Sequence, residues 1–278
     1  MARKPNTRTL AKFKGPLLLV GAGKMGQALL DGWLARGLGP KRTAIIEPKP
    51  AKSIAALKRR GVAINPKKAG QAGAIVVAVK PQTAPDVVPS LGAWVGKGSL
   101  VVSIMAGRTL SFLEDKLPEG TAIVRAMPNT PAAIGRGITV AVANKNVSRA
   151  QRKLASELLA ATGTVEWVDD ERLMDAVTAV SGSGPAYVFL LAEAMAQAGV
   201  AAGLPADLAA KLARETVAGS GELLHRSPLD AATLRQNVTS PGGTTAAALD
   251  VLMGRAGFEP LLTKAIAAAT RRGRQLAG

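Results

Sequence analysis

Apolar residues in the first part of the chain form short continuous runs, with helical patterns between several of them. Continuous apolar runs of strand length are typical of strands buried on both faces of a parallel sheet. The predicted strands lie at 16–20, 43–47, 62–64, 74–79, 99–104, 122–125, 137–143 and 165–168. Helical patterns lie at 27–35, 51–60 and 149–161. The alternation predicts an α/β fold with a mostly parallel sheet.

Beyond about residue 168 the strand pattern stops. The predicted helices lie at 171–180, 186–202, 205–224, 229–236, 241–254 and 258–275. The helix at 186–202 is apolar nearly all round, with Glu193 and Gln197 as its polar residues. Such a helix is buried on all sides, and in a domain of about 110 residues this indicates burial between subunits as well as within one. We expect a basic disordered arm at 1–15, an α/β domain at 16–168 and an all-helical domain at 169–278.

The turn after the first predicted strand carries the glycine pattern GAGKMG at 21–26. In the order strand, G-x-G-x-x-G, helix, the first glycine makes a tight turn and the second admits a pyrophosphate. The third lets helix and strand pack closely. Glu47 ends the second predicted strand about 20 residues further on, where an acid binds the ribose of a dinucleotide. The pattern therefore predicts a dinucleotide site.

Loops rich in turn-forming residues follow three further predicted strands, at 80–82, 105–107 and 126–131. Ligands of open parallel sheets bind beyond the carboxyl ends of the strands. We therefore expect these loops at the same edge of the sheet as the glycine turn.

Charge is divided unequally along the 278 residues, whose formal net charge is +17. Residues 1–168 hold 26 Lys and Arg against 8 Asp and Glu, a balance of +18, and residues 169–278 hold 10 against 11, a balance of −1. A basic half is compatible with nucleic-acid binding or with attraction of anionic nucleotides. With one Tyr and four Phe, the aromatic platforms of a nucleic-acid binder are missing. We expect no nucleic-acid partner, and a nucleotide-sensing or nucleic-acid-binding regulator stays open as the alternative of a different class.

The chain has no cysteine and one histidine, His225. Thiol catalysis, disulfides and Cys/His zinc sites are therefore excluded, and we expect no metal. No run of about 18 uncharged apolar residues indicates a membrane span. No sustained apolar region follows the basic N-terminus, as it would in a secretory signal. We expect a cytoplasmic protein without a membrane partner.

One stretch of the helical part has the composition of an anion site, S-P-G-G-T-T from Ser240 to Thr245. Ser240 suits the N-cap of a helix and Pro241 its first position. The two glycines allow another molecule to approach the backbone closely. Such a helix start presents bare amides and two hydroxyls to a small carboxylate or phosphate. An ordinary capped helix start explains the stretch equally well.

Six motifs occur in order: GAGKMG at 21–26, AVKPQ at 78–82, SIMAG at 103–107, VRAMPNTPA at 124–132, DAVTAVSGSGPAY at 175–187 and VTSPGGTT at 238–245. Together they resemble the pyrroline-5-carboxylate reductase family over roughly residues 16–275, and the last two motifs are the most specific. The resemblance implies NAD(P)H-dependent reduction of L-1-pyrroline-5-carboxylate to L-proline, the last step of proline biosynthesis. It also implies a Rossmann domain at 16–168, a dimerisation domain at 169–278, and a homodimer or a ring of dimers (a decamer).

The resemblance also implies site residues. The substrate carboxylate meets the backbone of the segment formed by Ser240, Gly242, Gly243, Thr244 and Thr245. The Thr245 hydroxyl lies near the ring nitrogen, and we predict that it donates to or orients that nitrogen as the catalytic side chain. The matching cofactor residues are Gly21, Ala22, Gly23, Lys24, Met25, Gly26, Glu47, Lys49, Asn65, Ala78, Val79, Lys80, Pro81, Met105, Ala106, Gly107 and Asn129.

The residues near Glu47 leave the choice between NADPH and NADH open. A carboxylate favours NADH, because it binds the ribose diol and repels a 2′-phosphate. The basic side chains of Lys49, Lys52, Arg59 and Arg60 could instead hold that phosphate. We predict that NADH works well and that NADPH use depends on Lys49.

The nearest alternative enzyme is another imine reductase or a hydroxyacid dehydrogenase with the same two-domain plan. A hydroxyacid dehydrogenase would need a catalytic lysine in the helical domain. Lys211 and Lys264 are the only lysines there, and both fit solvent-facing helix positions.

Overall fold

The computed structural model describes residues 9–13 and 15–277. Its strands are β1 (Leu17–Val20), β2 (Thr43–Ile46), β3 (Ala63–Ile64), β4 (Ala72–Val77), β5 (Val95–Ser103), β6 (Ala122–Met127), β7 (Gly137–Ala143) and β8 (Gly163–Trp167). The α-helices that accompany them are α1 (Lys24–Ala35), α2 (Lys52–Ala56), α3 (Ala84–Val87), α4 (Leu110–Glu114), α5 (Arg149–Leu159) and α6 (Met174–Val177).

The strands form one sheet in the order β3-β2-β1-β4-β5-β6-β7-β8. Neighbouring strands are parallel except at β6 and β7, which are antiparallel. The predicted α/β fold with a mostly parallel Rossmann sheet is confirmed. The chain runs outward from β1 to β3 and returns to β4 on the other side of β1. The crevice between β1 and β4 is therefore the switch point at which such sheets bind ligands.

Both faces of the sheet are buried, which explains the continuous apolar runs. Leu17 and Leu19 of β1 belong to one apolar core, and Leu18 and Val20 belong to the core on the other face. Successive strand residues point to opposite faces, so a strand covered on both sides needs apolar residues throughout. Trp33 of α1 is fully buried on the first face, and its indole N–H donates to a backbone carbonyl of α5 at 2.8 Å.

The prediction of a disordered arm was wrong for residues 9–13. Leu10 is 1% exposed, its N–H donates to the Arg36 carbonyl at 3.2 Å, and Phe13 packs against the same core. Two apolar side chains among basic residues are enough to attach this segment beside the end of α1. Residues 1–8 and 14 of the predicted arm lie outside the described residues.

The later part of the chain is helical, as predicted. Its helices are α7 (Gly184–Ala201), α8 (Ala206–Arg226), α9 (Ala231–Asn237), α10 (Thr244–Leu252) and α11 (Phe258–Ala277). By compactness the chain divides after Gly182, and the end of α11 from Thr270 belongs to the first unit. This division falls later than the predicted boundary at 168/169. Met174 of α6 explains part of the difference, because its side chain is fully buried in a core of the sheet.

Much of the apolar surface of α7 is exposed to solvent within a single chain. None of its residues is buried, and Phe189 and Leu190 are 68% and 62% exposed. The exposed apolar side chains of α7 are therefore free to contact another surface. Across the described residues, no helix combines the length and apolar character needed to cross a bilayer.

Candidate cofactor and substrate sites

The three glycines after β1 differ in what surrounds them. Gly21 has a φ of +89°, and a Cβ placed on it would lie 2.7 Å from the Ala78 carbonyl oxygen. A Cβ on Gly26 would collide with the carbonyl oxygen of Gly21. A Cβ on Gly23 would meet no protein atom within 4 Å. The first and third glycines are thus needed by the fold, whereas Gly23 borders open space where a pyrophosphate fits.

The helix after the turn offers backbone donors to that space. α1 begins at Lys24, three residues before the predicted start, and Met25 follows in its first turn. Its N-cap is Gly23, which provides no side-chain cap. The first N–H groups of a helix have no partner inside the helix, so they suit an anion such as pyrophosphate. The residues present therefore fit a dinucleotide.

Glu47 directly follows β2 and faces the glycine turn. Its carboxylate accepts the Ala22 N–H at 2.9 Å and the Lys49 N–H at 3.1 Å. Asn65, directly after β3, holds the main chain of Glu47 through two hydrogen bonds, of 2.8 and 2.9 Å. The three residues predicted at this corner, Glu47, Lys49 and Asn65, are therefore together, and the ends of β1, β2 and β3 are tied to one another.

The loops after β4 and β5 lie beside the glycine turn. Ala78 donates to the Val20 carbonyl at 2.7 Å, and Ile104 donates to the Val77 carbonyl at 3.0 Å. These bonds extend the parallel ladder past the strand ends and line up the predicted residues that follow. Those residues are Ala78, Val79, Lys80 and Pro81 on one loop and Met105, Ala106 and Gly107 on the next. Met105 is 2% exposed, so a ligand at this loop meets backbone more than the methionine side chain.

Two residues that lie next to these loops were missed by sequence reasoning. Arg108 donates from Nε to the Pro81 carbonyl at 2.9 Å, with its guanidinium 4.9 Å from the ring centre of Phe112. Leu276 of α11 lies beside Gly107, where an added Cβ would be 3.6 Å from the Leu276 carbonyl oxygen. The arginine adjoins a predicted loop and could have been suspected, whereas nothing in the sequence indicated that the C-terminal end reaches it.

Asn129, the last predicted cofactor residue, follows β6. Its Oδ1 accepts the Ile138 N–H of β7 at 2.9 Å. The side chain thus fixes the connection between the antiparallel strands. All predicted cofactor residues lie at the carboxyl ends of β1 to β6, which is one edge of the sheet.

The predicted helix start at Ser240 and Pro241 was wrong. The Ser240 carbonyl oxygen, not its hydroxyl, accepts the Gly243 N–H at 3.0 Å, and Gly242 has a φ of +68°. These are features of a type II turn, with proline second and glycine third. The helix α10 starts only at Thr244. Proline and glycine here fold a turn before the helix instead of forming its first turn.

The shifted helix start still has the features of an anion site. The N-cap of α10 is Gly243, without a side-chain cap. The first-turn N–H groups, those of Thr244 and Thr245 among them, have no partner within the helix. Thr245 is partly buried and Thr244 is exposed. The predicted substrate residues thus form a turn followed by an uncapped helix start.

The preceding helix α9 is held by Asp230. Its carboxylate accepts the Thr233 N–H at 2.7 Å, and this hydrogen bond holds the pKa of Asp230 below its ordinary value. At the other end of α9, the Thr239 hydroxyl donates to the Arg235 carbonyl at 2.7 Å. The turn at Ser240 therefore starts from a helix that is fixed at both ends.

The remaining candidate chemistry is metal binding and catalysis by a lysine of the helical part. Within the part of the chain that the structure describes, no group of three His, Cys, Asp or Glu could hold a metal ion. Lys211 and Lys264 are both exposed in the chain, as predicted from their helix positions.

Two segments of the chain match protein family models. Residues 171–276 match the model described as pyrroline-5-carboxylate reductase dimerisation. Residues 17–107 match the model described as NADP oxidoreductase, coenzyme F420-dependent.

Whole proteins match over nearly the full chain. The pyrroline-5-carboxylate reductase of Pseudomonas aeruginosa is 39% identical over 94% of this chain and 96% of its own. That of Synechocystis sp. is 41% identical over 93% and 97%. The solved pyrroline-5-carboxylate reductase of Coxiella burnetii has a TM-score of 0.87 at 34% identity, over 95% and 99%. Pyrroline carboxylate reductase of Plasmodium falciparum with NADP bound has a TM-score of 0.78 at 28% identity, over 95% and 99%.

Proposed function

This chain belongs to the pyrroline-5-carboxylate reductase family, and we propose how its residues divide the work of that reaction. It is an NAD(P)H-dependent oxidoreductase that reduces L-1-pyrroline-5-carboxylate to L-proline, the last step of proline biosynthesis. The substrate is a cyclic imine with one carboxylate. The protein therefore has to hold an anion, orient a C=N bond and bind a nicotinamide cofactor.

Residues 16–168 bind the cofactor in this proposal. The open space at Gly23 and the bare amides of α1 support a pyrophosphate site there, and the Glu47 carboxylate supports a ribose site. When bound, the nicotinamide supplies the hydride that adds to the imine carbon. The loops at 78–81 and 105–107 border the same edge of the sheet and provide backbone for the nicotinamide end.

Residues 169–278 hold the substrate. The uncapped helix start at Thr244 supports the carboxylate site, since backbone N–H groups there suit a small anion. The turn from Ser240 to Gly243 shapes its entrance. Thr245 then donates to or orients the ring nitrogen, which ends the reaction as an amine. Water can also protonate an imine of this kind, so the hydroxyl is a positioning donor more than an obligatory acid.

The observation that carries the function is the identity to pyrroline-5-carboxylate reductases across both halves of the chain. The test is the loss of NAD(P)H absorbance when pyrroline-5-carboxylate is added to the purified protein. We expect oxidation that depends on the imine and yields proline. Oxidation with a 2-hydroxy acid's keto form but not with the imine would favour the dehydrogenase alternative.

We also propose that NADH is used well and that NADPH use depends on Lys49. The Glu47 carboxylate points at the glycine turn, where a ribose diol can reach it. Lys49 follows Glu47 by two residues and its side chain is exposed, which supports a role for its ammonium in holding a 2′-phosphate. Use of the phosphorylated cofactor is supported by one solved relative, which holds NADP.

Replacing Lys49 with alanine should raise KM for NADPH roughly tenfold and change KM for NADH less than twofold, because only NADPH carries the phosphate. Steady-state kinetics with both cofactors measures this. Lys97→Ala, an exposed lysine of β5, is the matched control and should change neither. A wild type with a strong NADPH preference would instead mean that Glu47 does not contact the ribose.

A homodimer built on the helical half is the next part of the proposal. The match to a dimerisation model and the unburied apolar surface of α7 support it. Burying several large side chains such as Phe189 and Leu190 against a second copy would stabilise the pair by about 1.5–3 kcal/mol for each fully covered side chain. A ring of dimers stays a prediction, as do the cytoplasmic location and the absence of nucleic-acid and membrane partners.

Phe189→Glu should convert the dimer to single chains of 28.4 kDa, because a carboxylate buried between apolar helices has no partner. Sedimentation equilibrium measures the mass. Lys153→Glu, an exposed change of charge on α5, should leave the mass unaltered. A wild type that already sediments as a single chain contradicts the dimer.

A further inference from the structure

Asn65 connects the end of β3 to the end of β2. Its Oδ1 accepts the Glu47 N–H at 2.8 Å, and its Nδ2 donates to the Glu47 carbonyl oxygen at 2.9 Å. Its own N–H donates to the Ile45 carbonyl at 2.8 Å. The β2–β3 ladder ends with Ile45 opposite Ile64. The Asn65 side chain thus continues the hydrogen bonding between the two strands beyond the ladder, as far as the main chain of Glu47.

The backbone of Asn65 adopts a conformation that favours glycine. Its φ is +49°, a conformation that no other non-glycine residue of the described chain adopts. Glycine adopts this conformation at no steric cost, and asparagine tolerates it better than most side chains. A glycine would provide the turn, but it would leave the two hydrogen bonds to Glu47 unmade.

The hydrogen bonds continue from Glu47 to the glycine turn. Its Oε2 accepts the Ala22 N–H at 2.9 Å and its Oε1 accepts the Lys49 N–H at 3.1 Å. A carboxylate has about four lone-pair positions, so each oxygen keeps one for a ribose hydroxyl. The direction of this side chain depends on the main chain that carries it. Whatever holds the main chain of Glu47 therefore also sets where its charge lies.

We propose that Asn65 is a positioning residue for nucleotide selectivity. It holds the main chain of Glu47 so that the carboxylate faces the glycine turn, where it accepts a ribose diol and repels a 2′-phosphate. The proposal rests on the cofactor site described above. It differs from the direct cofactor contact that the family resemblance implies for Asn65, because the selectivity acts through Glu47.

Calorimetric titration of the full chain with ADP-ribose and with 2′-phospho-ADP-ribose tests this without any turnover. Asn65→Gly keeps the left-handed backbone and removes both hydrogen bonds. The Kd for ADP-ribose should rise roughly tenfold, while that for the 2′-phosphate form should stay the same or fall, because the carboxylate that repels the phosphate is displaced. Asn65→Asp keeps an acceptor for the Glu47 N–H, and its effect should be smaller. Asn146→Gly, at a side chain that donates to Thr121 at 3.2 Å, is the matched control and should leave the selectivity unchanged.

The Glu47→Gln background separates action through Glu47 from direct contact. There, Asn65→Gly should not alter the ratio of the two Kd values further, because coupled residues are not additive. Equal weakening of both ligands, or effects that add, would overturn the proposal, and so would a wild type that prefers the 2′-phosphate form. Thermal unfolding checks each variant, and the Asp variant decides by the same ratio if the Gly variant does not fold. If selectivity follows Asn65 but the imine is not reduced, the proposed reaction fails and this inference stands.

Discussion

Replacing Thr245 with valine is expected to lower kcat about 100-fold while KM for either cofactor changes less than twofold. Thr245 lies in the first turn of α10, the uncapped helix start that we assign to the substrate. Valine has the same branched shape and nearly the same helix propensity, so the helix start should persist. The hydroxyl that orients the ring nitrogen is lost. The effect lies at the lower end of the range for proton donors, about 10²–10⁴-fold, because water can replace it.

Steady-state kinetics with pyrroline-5-carboxylate and each cofactor measures the loss. Thr245→Ser restores the hydroxyl and should recover most of kcat. An unchanged kcat in the valine variant would remove Thr245 from the mechanism. A serine variant as slow as the valine variant would instead show that the shape of the helix start, and not the hydroxyl, matters.

The sheet and the glycine turn could be predicted because their signals are local. Apolar runs such as 74–79 predict a strand covered on both faces, and the structure places β4 there as Ala72–Val77. The G-x-G-x-x-G pattern combines with the strand before it and the helix after it. Glu47 follows at the expected separation along the chain. The runs and the glycine turn need only neighbouring residues for their interpretation, and Glu47 needs only its separation from the glycines.

The features that were missed depend on distant residues or on competition between a helix start and a turn. Leu10 packs into a core formed by residues far away in sequence, and Leu276 lies beside the distant Gly107. The residues that follow Ser240 fit either of two competing structures, the capped start of a helix or a type II turn. Gly242 decided for the turn, since it adopts φ +68° at no steric cost. The partnership of Asn65 with Glu47 becomes visible only once β2 and β3 are paired.

The second large effect is expected at Gly23, where Gly23→Ala should raise KM for both cofactors roughly 10–100-fold and leave the melting temperature unchanged. A Cβ at Gly23 meets no protein atom within 4 Å, so the folded protein accommodates it. The methyl group instead occupies the space assigned to the pyrophosphate. Overpacking of this kind costs about 1–3 kcal/mol, and each 1.4 kcal/mol corresponds to about tenfold in affinity. Kinetics and thermal unfolding of the same preparation measure both quantities.

Gly26→Ala is the comparison that gives this prediction its meaning. There an added Cβ collides with the Gly21 carbonyl oxygen, so α1 has to move away from β1. We expect a loss of about 1–3 kcal/mol in the free energy of unfolding, with weaker cofactor binding as a consequence. Each variant adds one methyl group, and the two positions are three residues apart. Only Gly26→Ala should destabilise the free protein. If Gly23→Ala bound both cofactors as tightly as the wild type, the pyrophosphate could not lie against Gly23, and the cofactor would have to approach the sheet edge from the loops after β4 and β5.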